Sequence, residues 1–167
     1  HYMSTQNSLV IIKEKIAGVM LDDKRMKADD IAKKVLKGRK RECSTPPKWM
    51  QDAFHITKAE SENGLCYYVK PKKKEVKNFF FYIHGGGHCM EINKNQWEFV
   101  ATVVEKNGYG AAVPIYPLAP EHNAQDTFDM LIGTYRHLTR QEIIDRLVVV
   151  GDSTGGGLAL SLAVLAW

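Results

Sequence analysis

At 167 residues, 44% hydrophobic and 25% charged, the chain suits one soluble globular domain of ordinary size. Its net charge of +4 is mild and its lysines fall in two clusters, which gives nucleic acid no stripe to bind, and no apolar run is long enough for a membrane span. Three cysteines (Cys43, Cys66, Cys89) without Cys-x-x-Cys spacing suggest neither a disulfide frame nor a zinc knuckle, so a reduced, cytoplasmic protein is expected.

His1-Tyr2 ahead of Met3 reads as a tag remnant (residues 1–3), and no apolar signal-peptide core follows. From about Ser4 to Met20, Leu9, Ile12, Ile16 and Val19 recur at three- and four-residue spacing, which predicts an amphipathic helix broken by Asp22-Asp23. A second helix is predicted from about Asp29 to Lys37, with Asp29 and Asp30 at its positive end, Leu36 as its last apolar residue and Gly38 as its stop. Lys33, Lys34, Lys37, Arg39, Lys40 and Arg41 make this end basic, and they read as a solvated face. Ser44-Thr45-Pro46-Pro47 breaks the pattern and sets the expected boundary between an N-terminal helical segment, 4–45, and a core, 46–167.

Two antiparallel strands are predicted around Phe54–Thr57 and Leu65–Val69, joined through Asn63-Gly64. After the polar loop Pro71–Lys74, Phe79–Ile83 reads as a strand buried on both faces that runs into His84-Gly85-Gly86-Gly87-His88. Asn95 to Asn107 carries Trp97, Val100, Ala101, Val103 and Val104 at helical spacing and meets Gly108. Gly110–Tyr116 is the next strand, limited near its end by Pro114, and Pro117–His122 is a turn-rich loop. A helix from about Asn123 to Thr139 precedes Leu147–Val150, read as a doubly buried central strand, and Leu158–Ala166 follows as helix. Strands alternating with helices predict an α/β fold with a mostly parallel sheet, flanking helices and right-handed crossovers.

Ser153 stands in a Gly151-x-Ser-x-Gly155 frame on the turn between that strand and helix. Such a turn lifts a hydroxyl clear of the sheet and aims a helix N-terminus beside it, which is a nucleophile's seat. Acidic Asp152 after Gly151 fits neither phosphate-loop nor dinucleotide spacing. His84-Gly85-Gly86-Gly87 ends another parallel strand, and open parallel sheets bind ligands at that edge. Consecutive glycines can turn bare N–H groups inward and, with the N–H of Thr154, form an oxyanion hole. His84, His88 and Cys89 are not expected to hold metal, because Gly85–Gly87 breaks the helix that their spacing would need.

His84-Gly-Gly-Gly87, Tyr116-Pro-Leu-Ala-Pro-Glu-His122 and Gly151-Asp-Ser-Thr-Gly-Gly156, in this order and spacing, resemble the hormone-sensitive-lipase-like esterases, which are α/β-hydrolases. The resemblance runs from about Lys48 to the C-terminus. It implies hydrolysis of short- to medium-chain acyl esters through an acyl-enzyme, with no metal or cofactor. It puts the nucleophile on Ser153 and the oxyanion donors on Gly85, Gly86 and Thr154. His84 becomes an anchor of the loop that Gly87 closes, and Asp152 shapes the elbow. Tyr116 and Glu121 hold the loop behind the site, and residues 4–45 form part of a cap.

Two departures stand out. His88 follows the glycines where the family has an aromatic residue, and the fourteen residues after Ser153 include no His, Asp or Glu. Fold topology places the triad acid and histidine after the serine, so His88 is not expected to serve as the base. The chain is therefore expected to be the N-terminal piece of a hydrolase about twice as long. The remainder would be cleaved off, supplied by another chain, or continuous with this one, and the piece alone would be nearly inactive. A small-molecule ester is the expected partner, with neither nucleic acid nor membrane, and homo-oligomerisation is left open. A ligand-binding receptor of the same fold that lacks the triad histidine, as among plant hormone receptors, and an inert fragment are the alternatives.

Overall fold

The computed structural model describes residues 28–39, 44–61, 64–72, 75–141 and 144–165. The tag remnant, the helix expected at Ser4–Met20, and Lys40, Arg41, Cys43 and Asn63 lie outside the described residues. Contacts divide the chain into residues 1–34 and 35–167, a break upstream of the Ser44–Pro47 stretch. The described part of the first unit is helical throughout. That helix, α1 (Ala28–Arg39), has Asp29 and Asp30 in its first turn and Lys37 and Arg39 in its last, as the dipole favours. Gly38 lies inside its last turn and does not stop it.

A short helix that the sequence reading lacks, α2 (Lys48–Ala53), starts after Pro47, whose carbonyl accepts from Met50 N–H at 2.9 Å and Gln51 N–H at 3.3 Å. Proline's fixed φ suits a helix start, and Met50 anchors this one in the core. Strands β1 (Phe54–Ser61) and β2 (Gly64–Pro71) pair antiparallel from Phe54↔Pro71 to Ser61↔Gly64. Next in sequence come β3 (Asn78–Ile83), helix α3 (Lys94–Asn107) and β4 (Gly110–Ile115). Helix α4 (Ala124–Thr139), β5 (Arg146–Gly151) and helix α5 (Thr154–Leu165) complete the described chain.

The sheet order is β1-β2-β4-β3-β5, with β3 parallel to both β4 and β5 and with β2 antiparallel to its two neighbours. Only β2 opposes the common direction, so the sheet is mixed and mostly parallel, as predicted. Pro114 pairs with Cys66 of β2 but lies past Phe81↔Ala112, the last β3–β4 pair, so its missing N–H falls beyond that ladder. Asn93 caps α3 and Asn123 caps α4, each in a reciprocal box with the residue three positions on, and Gly108 closes α3 at φ 66°.

Side chains alternate across β3 and split the core in two. Phe80 and Tyr82 pack with Met50, Trp97, Val100 and Val104 on the α3 face. Phe81 and Ile83 pack with Leu131, Leu158 and Leu162 under α4 and α5. β3 is thus buried on both faces, as its run of apolar residues predicts. β5 departs from the same expectation: among the described residues it pairs only with β3 and is the last strand of the sheet, and Val148 is 40% exposed. Among the described residues no strand pairs with the outer edge of β5.

Candidate active site

The register Ile83↔Gly151 places the ends of β3 and β5 level with each other. His84 and Asp152, the residues that follow, therefore leave the sheet side by side, and with them the glycine loop and the serine turn. The contact is close. A Cβ on Gly85 would lie 2.9 Å from Ser153 Cβ and 2.6 Å from the Asp152 carbonyl and carboxylate oxygens. Gly155 explains how α5 can start so near β3, because a Cβ there would collide with the carbonyls of Ile83 and His84.

Ser153 is exposed and has φ +50°, a left-handed conformation that costs a non-glycine residue about 1–3 kcal/mol. The turn is held by Gly155 N–H and Gly156 N–H donating to Asp152 O at 2.8 and 3.3 Å. The Asp152 carboxylate ties the elbow to the rest of the site. Its Oδ1 accepts from Tyr82 Oη at 2.6 Å and from Gly85 N–H at 2.9 Å, and its Oδ2 accepts from Gln96 Nε2 at 3.0 Å. Burial alone would raise this carboxyl, but the Tyr82, Gln96 and Gly85 hydrogen bonds outweigh it and hold it below the ordinary carboxylate value. Burial first, and then the bond to Asp152, push the Tyr82 phenol above its ordinary value.

His84 is fully buried and stacks on Tyr116, ring centroids 4.4 Å apart and planes 18° from parallel. Its Nδ1 lies 2.8 Å from Gly85 O and donates to it as the Nδ1–H tautomer, while Nε2 has no hydrogen-bond partner among the described residues. Burial lowers its basicity. Tyr116 Oη donates to His84 O at 2.6 Å, so ring and hydroxyl together brace the base of the loop. These contacts suit an anchor for the glycine loop.

The amides divide unequally. Gly85 N–H, one of the three expected oxyanion donors, is engaged by Asp152. Gly87 N–H donates to Thr154 Oγ1 at 3.1 Å. Gly86 N–H and Thr154 N–H, the other two expected donors, have no hydrogen-bond partner among the described residues. Beside Thr154 a cavity of about 650 Å³ opens between Phe128, Leu158 and Ala119, with His88 and His122 also in its lining. His88 is exposed at φ 61°, and its carbonyl accepts from Ala119 N–H at 3.0 Å.

Lys33, Lys34 and Lys37 are exposed, as a solvated face requires, and Arg39 alone of the described basic residues of this segment departs from that reading. Its Nη1 donates to both Glu121 carboxylate oxygens, at 3.0 and 2.9 Å, and its side chain is 13% exposed. Its Nη2 and Nε reach the carbonyls of Ala119 and Cys89. Glu121 does brace the loop, as the resemblance implied, but through an arginine that sequence spacing did not single out. Among the described residues no group of three His, Cys, Asp or Glu could hold a metal ion.

A strained, exposed serine between a parallel strand and a helix, set against a glycine loop at the next strand's end, defines the elbow of an α/β-hydrolase fold. Residues 80–167 match the family described as alpha/beta hydrolase fold, and the chain belongs to it, in its hormone-sensitive-lipase-like branch. Arylacetamide deacetylase of Oryctolagus cuniculus is 28% identical over 113 residues, 58% of this chain and 27% of that protein. An esterase of Acinetobacter venetianus is 29% identical over 85 residues, 50% of this chain and 28% of that protein. A solved structure from Staphylococcus aureus superposes with TM-score 0.68 at 25% identity, over 83% of this chain and 48% of that one. The chain thus spans under a third of these curated relatives and about half of the solved structure.

Proposed function

We propose that the protein to which this chain contributes hydrolyses carboxylic esters of short- to medium-chain acids through an acyl-enzyme on Ser153. The observation that carries the reading is the left-handed, exposed Ser153 in contact with Gly85 of the glycine loop. Ser153 Oγ attacks the ester carbonyl carbon, and the carbonyl oxygen becomes an oxyanion held by Gly86 N–H and Thr154 N–H at the positive end of α5. Collapse of that intermediate breaks the bond to the alcohol oxygen, which leaves with the proton taken from the serine. Water then attacks the acyl-serine, releases the acid and restores the hydroxyl. Gly85 holds the loop on Asp152 in this scheme and does not itself donate to the oxyanion.

Ser153 Oγ has no hydrogen-bond partner among the described residues, and in this reading the triad order of the fold puts the base after the serine and outside them. The chain by itself is therefore expected to turn over only slowly. The test is p-nitrophenyl butyrate hydrolysis by the full-length protein. Turnover should fall by more than about a thousandfold in Ser153→Ala. Tight binding of an ester without turnover would favour the receptor reading.

A further inference from the structure

Of the three glycine amides, two are held by side chains, and those side chains are the immediate neighbours of Ser153 on either side. Asp152 takes Gly85 N–H at 2.9 Å and Thr154 Oγ1 takes Gly87 N–H at 3.1 Å. Gly86, between them, has φ +140° and an N–H without a hydrogen-bond partner among the described residues. Three consecutive glycines have the largest freedom to lose, so a loop of them presents an amide in one direction only if something fixes both ends. The inner end is packed, whereas at Gly87 (φ +63°) a Cβ would meet nothing within 4 Å. Beyond it Gly86 O accepts from Cys89 N–H and Met90 N–H at 3.1 and 2.9 Å, which closes the turn on itself, and the hydrogen bond from Gly87 N–H to Thr154 Oγ1 joins that turn to the elbow.

Building on the ester-hydrolase reading, we propose that Thr154 is a positioning residue whose side-chain hydroxyl pins Gly87 and so holds Gly86 N–H ready for the oxyanion. Its main-chain N–H and its hydroxyl then do different jobs. The first touches the reacting oxygen, and the second fixes the loop that supplies the other donor. Preorganised donors act because they need not be reoriented as charge develops, so loosening the pin lowers the rate of the chemical step more than it weakens substrate binding.

Thr154→Val keeps the shape of the side chain and removes the acceptor, while Thr154→Ser keeps the acceptor. Amide hydrogen exchange at Gly86 and Gly87, resolved residue by residue by NMR, is read first and does not depend on activity. The valine variant should speed exchange at Gly87 about tenfold, and the serine variant should stay near the parent. In the full-length protein on p-nitrophenyl butyrate, the valine variant should lose about tenfold in kcat with KM changed less than twofold, and serine should restore most of the loss. Unchanged Gly87 exchange in the valine variant overturns the pin. Faster exchange with unchanged kcat, in a protein that Ser153→Ala inactivates, overturns the positioning role. Serine as slow as valine assigns the effect to side-chain packing and also overturns it. If Ser153→Ala leaves turnover unaltered, the hydrolase reading fails on that variant, and Gly87 exchange still decides the pin.

Discussion

Asp152 lies at the point where three elements meet, receiving Tyr82 from β3, Gln96 from α3 and Gly85 from the loop between them. Asp152→Ala leaves all three donors without that acceptor. Hydrogen bonds to a charged group are worth about 1.5–3 kcal/mol each, and part exposure of this one argues for a total near 2–3 kcal/mol, measurable by urea unfolding. Burial dominates at His84: it depresses the folded pKa below the ordinary 6.5, with the Gly85 carbonyl and Asp152 opposing it. The unfolded chain then binds the proton more readily than the folded one, so stability present above pH 6.5 is lost as the pH falls from there through the folded pKa. Melting temperature followed from neutral pH downward should show this slope in the parent and lose it in His84→Asn. A slope that survives in the variant assigns the proton elsewhere. The placement of Ser153 beside the glycine loop was legible in the sequence because it depends on local backbone geometry at two strand ends. The partner of Gly85 N–H was not, since it is set by the register of β3 against β5.

Between the strands and helices, the closest approaches decide which substitutions are tolerated. Gly155→Ala drives a methyl into the carbonyls of Ile83 and His84, and overpacking of this kind should cost about 1–3 kcal/mol and disturb the elbow. Gly133→Ala, in the interior of α4 with nothing within 4 Å, should instead stabilise by about 0.5–1 kcal/mol. Thermal unfolding of the two variants should move in opposite directions, and parallel shifts would contradict the approach of α5 to β3. Arg39 is an element-scale device as well, joining the end of α1 to the loop residues Cys89, Ala119 and Glu121. Its fork serves acceptors in several directions at once, which an ammonium on a flexible stem does not reproduce. Arg39→Lys should therefore lose most of what Arg39→Ala loses in protection of residues 86–90 from hydrogen exchange. Helix ends were readable where caps announce them, at Asn123 and at Gly108. The six-residue α2 was not, because one buried methionine gives no periodicity to detect.

On the scale of the whole core, apolar surface remains uncovered on one side. Val148 of β5 is 40% exposed, and Leu160, Val164 and Leu165 of α5 are 70%, 72% and 54% exposed. These residues flank a strand whose outer edge has no partner among the described residues, and such edges recruit other chains. No helix among the described residues is long and apolar enough to cross a membrane. The chain produced by itself is expected to associate at micromolar concentration and to bind a hydrophobic dye, both checked by sedimentation and fluorescence. Two mechanisms give that outcome, and substitution separates them. Leu160→Lys with Val164→Lys places charge on α5 without touching the ladder, and it should restore a monomer if helix burial drives association. Val148→Lys charges the sheet face beside the open edge, and it should be the more effective change if strands pair edge to edge. The larger exposure of the α5 residues favours the first mechanism, and a chain that stays monomeric and dye-free without either change would show that this face is not adhesive.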